Sequence, residues 1–264
     1  VQNGEKDGRL RGFRDGIGAR QTPFPHCAIH NLSLEEACNL LLARLKEGVQ
    51  TRVCFVNAHK FYLMERKKGF AHVMRQADLR LADGHSILWA AKKLSTPIDK
   101  KVPGIDLFFR LMERAAANGA RAFFLGSGRK SVVRAFQNAL RRYGETAVAG
   151  FHYGYFDEAQ SEAIVQKIND SGAELLYAGF GSPKQEYWLH AHARRLRARV
   201  LMGVGGSFDV LAGEKKRAPF LLRARGFEWL WRFFQSPLRM ARRVFLENAY
   251  FVWRIYRLRK EGWR

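Results

Sequence analysis

Leu175-Leu-Tyr-Ala-Gly-Phe-Gly-Ser-Pro-Lys-Gln-Glu-Tyr-Trp188 decides the fold. A short apolar run stops at two glycines, and the chain then meets Ser182 and Pro183, which suit a helix cap and a first helical position. The segment therefore reads as a strand, Leu175 to Gly179, turning sharply into a helix from Lys184 to Arg195. Gln185 stands at capping-box spacing from Ser182. The next strand, Val200 to Val204, runs into Met202-Gly-Val-Gly-Gly-Ser-Phe-Asp-Val210, where three glycines again follow a strand. Glycines at such a turn let a ligand approach the backbone closely.

The same alternation extends toward the N-terminus. Apolar runs rich in β-branched or aromatic residues read as strands at Cys27 to His30, Arg52 to Asn57, Leu79 to Ala82, Ala120 to Leu125 and Thr146 to Phe151. Helical patterns lie between them at Ser33 to Glu47, Lys60 to Gln76, His85 to Leu94, Asp106 to Asn118, Lys130 to Tyr143 and Glu158 to Asp170. Ser33 and Glu36 have capping-box spacing. Alternating strands and helices imply an α/β protein, a Rossmann-like, mainly parallel sheet with flanking helices. In such sheets ligands bind beyond the carboxyl ends of the strands, so the loops just after strands are the candidate sites.

Four such loops carry polar residues. Asn57 follows the Arg52 to Asn57 strand and reads either as a helix N-cap or as a ligand contact, while nearby His59 reads as a surface histidine. Asp83 and Gly84 follow the next strand. Asp83 is a candidate N-cap and a candidate general base, able to take the proton of an attacking hydroxyl. Gly126, in Leu125-Gly-Ser-Gly-Arg-Lys130, offers backbone N–H groups to a phosphate, although Ser131 stands where a dinucleotide fingerprint needs its third glycine. Gly205 and Gly206 belong to the loop before Asp209, whose carboxylate suits ribose hydroxyl or base N–H groups. Several glycine-rich strand ends in one chain favour a nucleotide ligand, and no separate cofactor is called for.

Absences narrow the chemistry. The chain has no DxD triplet, no HExxH or Cys/His zinc spacing, no GxSxG elbow and no GxxxxGK[ST] loop. No resident metal is expected, so a diphosphate leaving group would need arginines and helix N-termini to neutralise it. Cys27, Cys38 and Cys54 sit in apolar stretches without CxxC spacing and read as buried free thiols. No apolar run is long enough to span a bilayer, and the start lacks the core of a signal peptide. A secreted or transmembrane protein is not expected.

The 264 residues carry 46 Lys or Arg against 24 Asp or Glu, a net charge of +22, with 47% hydrophobic residues. That hydrophobic content excludes a disordered polyelectrolyte, and the charge calls for an anionic partner. Residues 1–22 read as a mobile tail, 23–213 as the α/β domain, and 214–264 as a helical appendage. From Arg217 to Arg264 twelve Lys or Arg face three Glu, interleaved with aromatics such as Trp229, Trp231, Phe233, Phe245 and Trp253. Aromatic bodies and long-stemmed arginines favour the headgroup boundary, so an interfacial helix around Leu238 to Arg259 on an anionic membrane surface is expected. The alternative, that some of the aromatics pack on the α/β core, is open. A nucleic-acid-binding protein shares this composition, but no RRM, KH or zinc-finger pattern occurs, and the glycine-rich turns would then have no purpose. No nucleic-acid partner is expected, and a homo-oligomer is left open.

Asn57-Ala58, Ala82-Asp83-Gly84, Val102-Pro-Gly-Ile-Asp-Leu107, Gly179-Phe-Gly-Ser-Pro-Lys-Gln-Glu186, Gly203-Val-Gly-Gly-Ser-Phe-Asp209, Arg217-Ala-Pro219 and Glu228-Trp-Leu-Trp-Arg232 with Pro237-Leu-Arg239 together resemble the WecG/TagA/CpsF family, glycosyltransferase family 26. The resemblance runs from about Pro23 to the C-terminus. It implies inverting transfer of a hexose-type sugar, N-acetylmannosamine or a relative, from a UDP-sugar to a polyprenyl-diphosphate-linked saccharide of a bacterial surface polysaccharide. It also implies a cytoplasmic enzyme peripherally attached to the inner face of the plasma membrane. By position Asp83 matches the family's catalytic base, Gln185 a sugar contact, and Asn57 and Asp209 nucleotide contacts. Arg232, Arg239 and Arg242 match arginines folded over the active site. Many members carry Thr where this chain has Phe55, which opens the identity of the sugar; a different UDP-hexose or a non-lipid acceptor remains the alternative within the family.

Overall fold

The computed structural model of the chain describes residues 21–263, the side chains of residues 223, 224, 232 and 239 excepted. Residues 1–20 of the expected tail lie outside the described residues. Its last two, Gln21–Thr22, form β1, which pairs antiparallel with β2, Ile29–His30. Six further strands, β3 Thr51–Val56, β4 Leu79–Ala82, β5 Ala122–Gly126, β6 Val148–His152, β7 Leu175–Gly179 and β8 Val200–Gly203, build one sheet in the order β4-β3-β8-β7-β5-β6. Every neighbouring pair is parallel. All carboxyl ends therefore open on one edge, where the sequence places its polar turn residues.

The strands are near-continuous apolar runs because both faces of a parallel sheet are covered. On β3, Val53 and Phe55 point into one layer while Cys54 and Val56 point into the other. The first layer holds α1 (Leu34–Lys46), α5 (Gly104–Ala117), α6 (Arg129–Tyr143) and α9 (Ser207–Leu211). The second holds α2 (Ala58–Arg66), α3 (Phe70–Arg75) and α4 (His85–Lys93), and further along the sheet α7 (Ser161–Asp170) and α8 (Lys184–His192). The expected Ser33–Glu36 capping box is present at the start of α1. One helix expected over Lys60 to Gln76 is instead two, because Gly69 turns left-handed at φ 77° and starts α3 afresh. Cys27, Cys38 and Cys54 are buried free thiols, and burial pushes Cys27 up to about 12 and Cys54 up to about 11.

After α9 every described element is helical: α10 Phe220–Ala224, α11 Glu228–Gln235, α12 Pro237–Arg242, a π-helical turn Arg243–Glu247, and α13 Asn248–Lys260. The helix α13 is a structural part of the body. It buries Phe251, Ile255 and Leu258 in the α2–α4 layer, with the Phe251 ring edge-on to Phe61 at 5.0 Å. Glu65 on α2 fastens it further, accepting from Arg254 at 2.8 Å and lying 3.0 Å from His26. Burial would raise Glu65, but hydrogen bonds from His26, Tyr250 and Arg254 outweigh it and hold the carboxyl down to about 2. By contrast Phe220, Phe234, Leu238, Phe245 and Leu246 on the preceding segments stand exposed. No helix among the described residues is long and apolar enough to cross a membrane.

Candidate active site

Asn57 and Asp83 meet at the carboxyl edge of β3 and β4. Asn57 caps α2 as its Oδ1 accepts from Lys60 N at 3.0 Å, and its amide donates to Asp83 Oδ2 at 3.0 Å. Asn57 thus serves as the cap and fixes the orientation of the carboxylate. Asp83 is not a cap, since Gly84, at φ 93°, occupies that position before α4. Both residues line a cavity of about 780 Å³ between the sheet edge and the appendage. Its body side is polar, with Asn57, His59, Asp83, His85 and Lys101; its appendage side is largely apolar, with Trp229, Met240, Val244 and Val252. His85 and Lys101 are 2.7 Å apart. Burial lowers both, and the Lys101 ammonium lowers His85 further.

Gln185, at the start of α8, is buried. Its Oε1 accepts from Gly181 N at 3.1 Å and Gly205 N at 3.2 Å, tying the turn after β7 to the turn after β8, and its Nε2 donates to Glu186 Oε1 at 2.9 Å. The Ser182–Gln185 capping box is not formed: Ser182 Oγ donates to Glu186 instead, at 2.9 Å. A Cβ on Gly203 would lie 2.5 Å from Gln185 Nε2, so glycine there is a packing requirement. Glu186 also receives buried Lys60 at 2.9 Å. Burial acts against both charges, yet each holds the other ionised, raising Lys60 and lowering Glu186.

A second polar cluster occupies the same edge, at β5 and β8. Asp209 accepts from Ser127 Oγ at 2.8 Å and from Lys215 Nζ at 2.6 Å. Gly205 is left-handed at φ 51°, and Gly206 caps α9. Gly126 is required by close backbone approach, since a Cβ there would lie 2.7 Å from Gly179. The sequence-derived residues therefore form two groups along one edge, Asn57 with Asp83 and Gly126 with Asp209, and buried Gln185 ties together the turns after β7 and β8, the strands between β3 and β5. Phe55 is buried with its ring against Gly104, where a Cβ would come within 3.3 Å. It does not line the cavity.

On the appendage side, the side chains of Arg232 and Arg239 lie outside the described residues. Arg242 is exposed, with its Nε 4.0 Å from Glu247 Oε1, and it is Arg243 that lines the cavity. His59, read as a surface histidine, lines the cavity as well and lies 2.5 Å from Glu247 Oε2. Lys60, Lys101, Ser127 and Glu247 carried no sequence signal, because each gains its partner across more than 15 residues of chain. Among the described residues no group of three or more His, Cys, Asp or Glu side chains converges as a metal site.

In class this is a Rossmann-like α/β protein whose ligand cleft opens at the carboxyl edge of its sheet, the edge at which such folds take nucleotides. The chain belongs to the WecG/TagA/CpsF family of glycosyl transferases, whose family model matches residues 23–264, and it is a glycosyltransferase. It is 33% identical over 190 residues to an N-acetylglucosaminyldiphosphoundecaprenol N-acetyl-beta-D-mannosaminyltransferase of Staphylococcus aureus strain MW2, covering 72% of this chain and 71% of that protein. To the protein of the same description from strain NCTC 8325 / PS 47 it is 34% identical over 180 residues, covering 68% of this chain and 67% of the relative.

Proposed function

We propose that the chain transfers an N-acetylmannosamine-type hexose to a saccharide on a polyprenyl diphosphate, as the description of its relatives suggests, and that it does so with inversion from a UDP-sugar, as the family resemblance implies. The observation that carries this reading is the Asn57-oriented carboxylate of Asp83 on the wall of a cavity that is polar toward the sheet and apolar toward the appendage. Asp83 takes the proton of the acceptor hydroxyl as that oxygen attacks the anomeric carbon; the bond from that carbon to the diphosphate breaks, and UDP departs with the electron pair. The Asp209 cluster reaches from the end of β8, one strand step from β3, to Ser127 at the end of β5, three steps from β3 and about 14 Å at ordinary strand spacing, a span suited to an extended nucleotide sugar with its nucleoside at this cluster and its sugar at Asp83. By the resemblance, Arg232 and Arg239 neutralise the departing diphosphate without a resident metal, whereas Arg242 stands exposed beside Glu247.

The reading divides the chain into an N-terminal tail over 1–22, a catalytic α/β domain over 23–213 and a helical segment over 214–264, of which α10 to α12 attach to the inner face of the membrane while α13 packs on the body. The exposed Phe220, Leu238 and Phe245 support that attachment, since a large apolar patch on a protein surface marks a partner or a membrane. The test is transfer from UDP-N-acetylmannosamine to a short-chain N-acetylglucosaminyl diphosphate lipid, with and without EDTA. Sugar-lipid product from the unaltered chain, lost in Asp83→Asn while UDP still binds, is the expected result. Full activity of Asp83→Asn would refute the base assignment.

A further inference from the structure

Three groups meet at the cavity rim that the transfer step above does not use. His59 stands on the first turn of α2, two residues after Asn57, and its Nδ1 lies 2.5 Å from Glu247 Oε2. The Arg243 guanidinium lies 3.1 Å from His59 Nε2. A guanidinium can only donate. Nε2 must therefore accept, and the ring proton sits on Nδ1, from which it is donated to the Glu247 carboxylate. The imidazole is neutral in this arrangement, with each nitrogen committed to one partner.

Glu247 is buried although its neighbours Phe245 and Leu246 are exposed. A buried carboxylate is costly unless paired and hydrogen-bonded, so the contact with His59 explains its position. Arg243 and Glu247 are the two ends of the π-helical turn, the only such turn among the described residues and a feature frequent at functional sites. The charged groups around the ring are Lys60 on its own helix, Arg243 and Glu247 on the π-helical turn, and Arg242 behind Glu247; Asp83 shares the cavity wall. Burial first, and then the Arg243 cation, hold His59 below its ordinary value of 6.5 despite the pull of Glu247. The neutral ring is thus the form kept near neutral pH.

We propose that His59, oriented by Glu247, is a positioning residue that aims Arg243 into the cavity shared with Asp83, where the guanidinium binds a diphosphate. The proposal rests on the glycosyl-transfer reading and extends it. Two diphosphates of the same chemistry pass through this cavity, that of the nucleotide and that of the lipid acceptor. Arg243 touches the ligand, whereas His59 acts only through it.

The test compares full-length Arg243→Ala, His59→Phe, His59→Gln and the double variant Arg243→Ala/His59→Phe. A glutamine can still donate to Glu247 and accept from Arg243. Arg243→Ala and His59→Phe should each lower kcat/KM by about 10- to 100-fold, the value of one charge-assisted hydrogen bond. His59→Gln should recover most of the rate, and the double variant should be no worse than either single one. Weaker UDP binding by calorimetry would assign the contact to the nucleotide; a raised acceptor KM with unchanged UDP affinity would assign it to the lipid. Below about pH 6.5 protonation of His59 turns Nε2 into a donor facing Arg243, so the unaltered chain should lose rate there, and His59→Gln should lack that step. Wild-type kcat/KM in His59→Phe, or additive losses in the double variant, would overturn the proposal. Should the unaltered chain transfer no sugar, the transfer reading fails; binding of UDP and inorganic pyrophosphate to the same variants then decides, and equal affinities throughout would overturn the positioning role.

Discussion

Strand β3 and helix α11 are both rich in large apolar side chains, and they end in opposite environments. Every residue of Thr51–Val56 is buried, whereas in Glu228–Gln235 Trp229 is 41% and Phe234 70% exposed. The difference is set by the backbone. A central strand satisfies its amides only through neighbours on both sides, which draws it into the sheet, and the helices then cover its two faces. A helix satisfies its own amides, so α11 and α12 can hold apolar side chains outward and leave a patch for a further surface. The last helix, α13, follows the rule of the body: Phe251, Ile255 and Leu258 fill the space against α2 and α4. The boundary between core and appendage therefore runs within the C-terminal fifty residues.

Substitutions can break or sharpen this contrast. The largest effect is expected from Asp83→Asn, which should lower turnover by roughly 10²- to 10⁴-fold, the range for a general base, while the melting temperature and UDP affinity stay near those of the unaltered chain. Within the body, Lys60→Met strands the Glu186 carboxylate in the interior and should cost about 3–5 kcal/mol in denaturant unfolding. Lys60→Met/Glu186→Leu should recover much of that loss if the pair is retained for its orientation of Gln185 and not for stability. Phe251→Ala should cost about 3–5 kcal/mol. Phe234→Ala, a change of the same size on the appendage, should stay within about 0.5 kcal/mol yet weaken sedimentation with anionic vesicles. Equal stability losses for the two phenylalanines would erase the contrast between the regions.

The last effect concerns pH. The folded-state value of Glu65 lies below its ordinary 4.5, at about 2. Its contribution is present in full above 4.5 and is lost as pH falls toward 2. Acid unfolding followed by tryptophan fluorescence should therefore show a shallower loss over that window in Glu65→Gln, which starts from lower stability at neutral pH.

The parallel sheet was legible because its strands are apolar runs followed by turn-forming residues, and all six begin and end within two residues of the expected positions. Helix starts were legible where side chains mark them, as at Ser33 and Asn57. The break between α2 and α3 was missed because a glycine in a helical pattern ends a helix only when its neighbours demand it. Gln185 matches a family sugar contact, but its side chain is taken up by the Gly181 and Gly205 amides and by Glu186. Phe55 was singled out as a missing hydroxyl, and its ring turns away into the layer beside Gly104.

By itself the sequence determined the α/β class and put Asn57, Asp83 and Asp209 at the carboxyl edge of the sheet, because strand-to-helix turns are local events written in adjacent residues. Only the tertiary structure decided which distant groups meet there. Lys60 with Glu186, Ser127 with Asp209 and His59 with Glu247 and Arg243 are joined across long stretches of chain. Their pairing depends on strand order and on the docking of α13, and neither leaves a trace in the spacing of residues along the sequence.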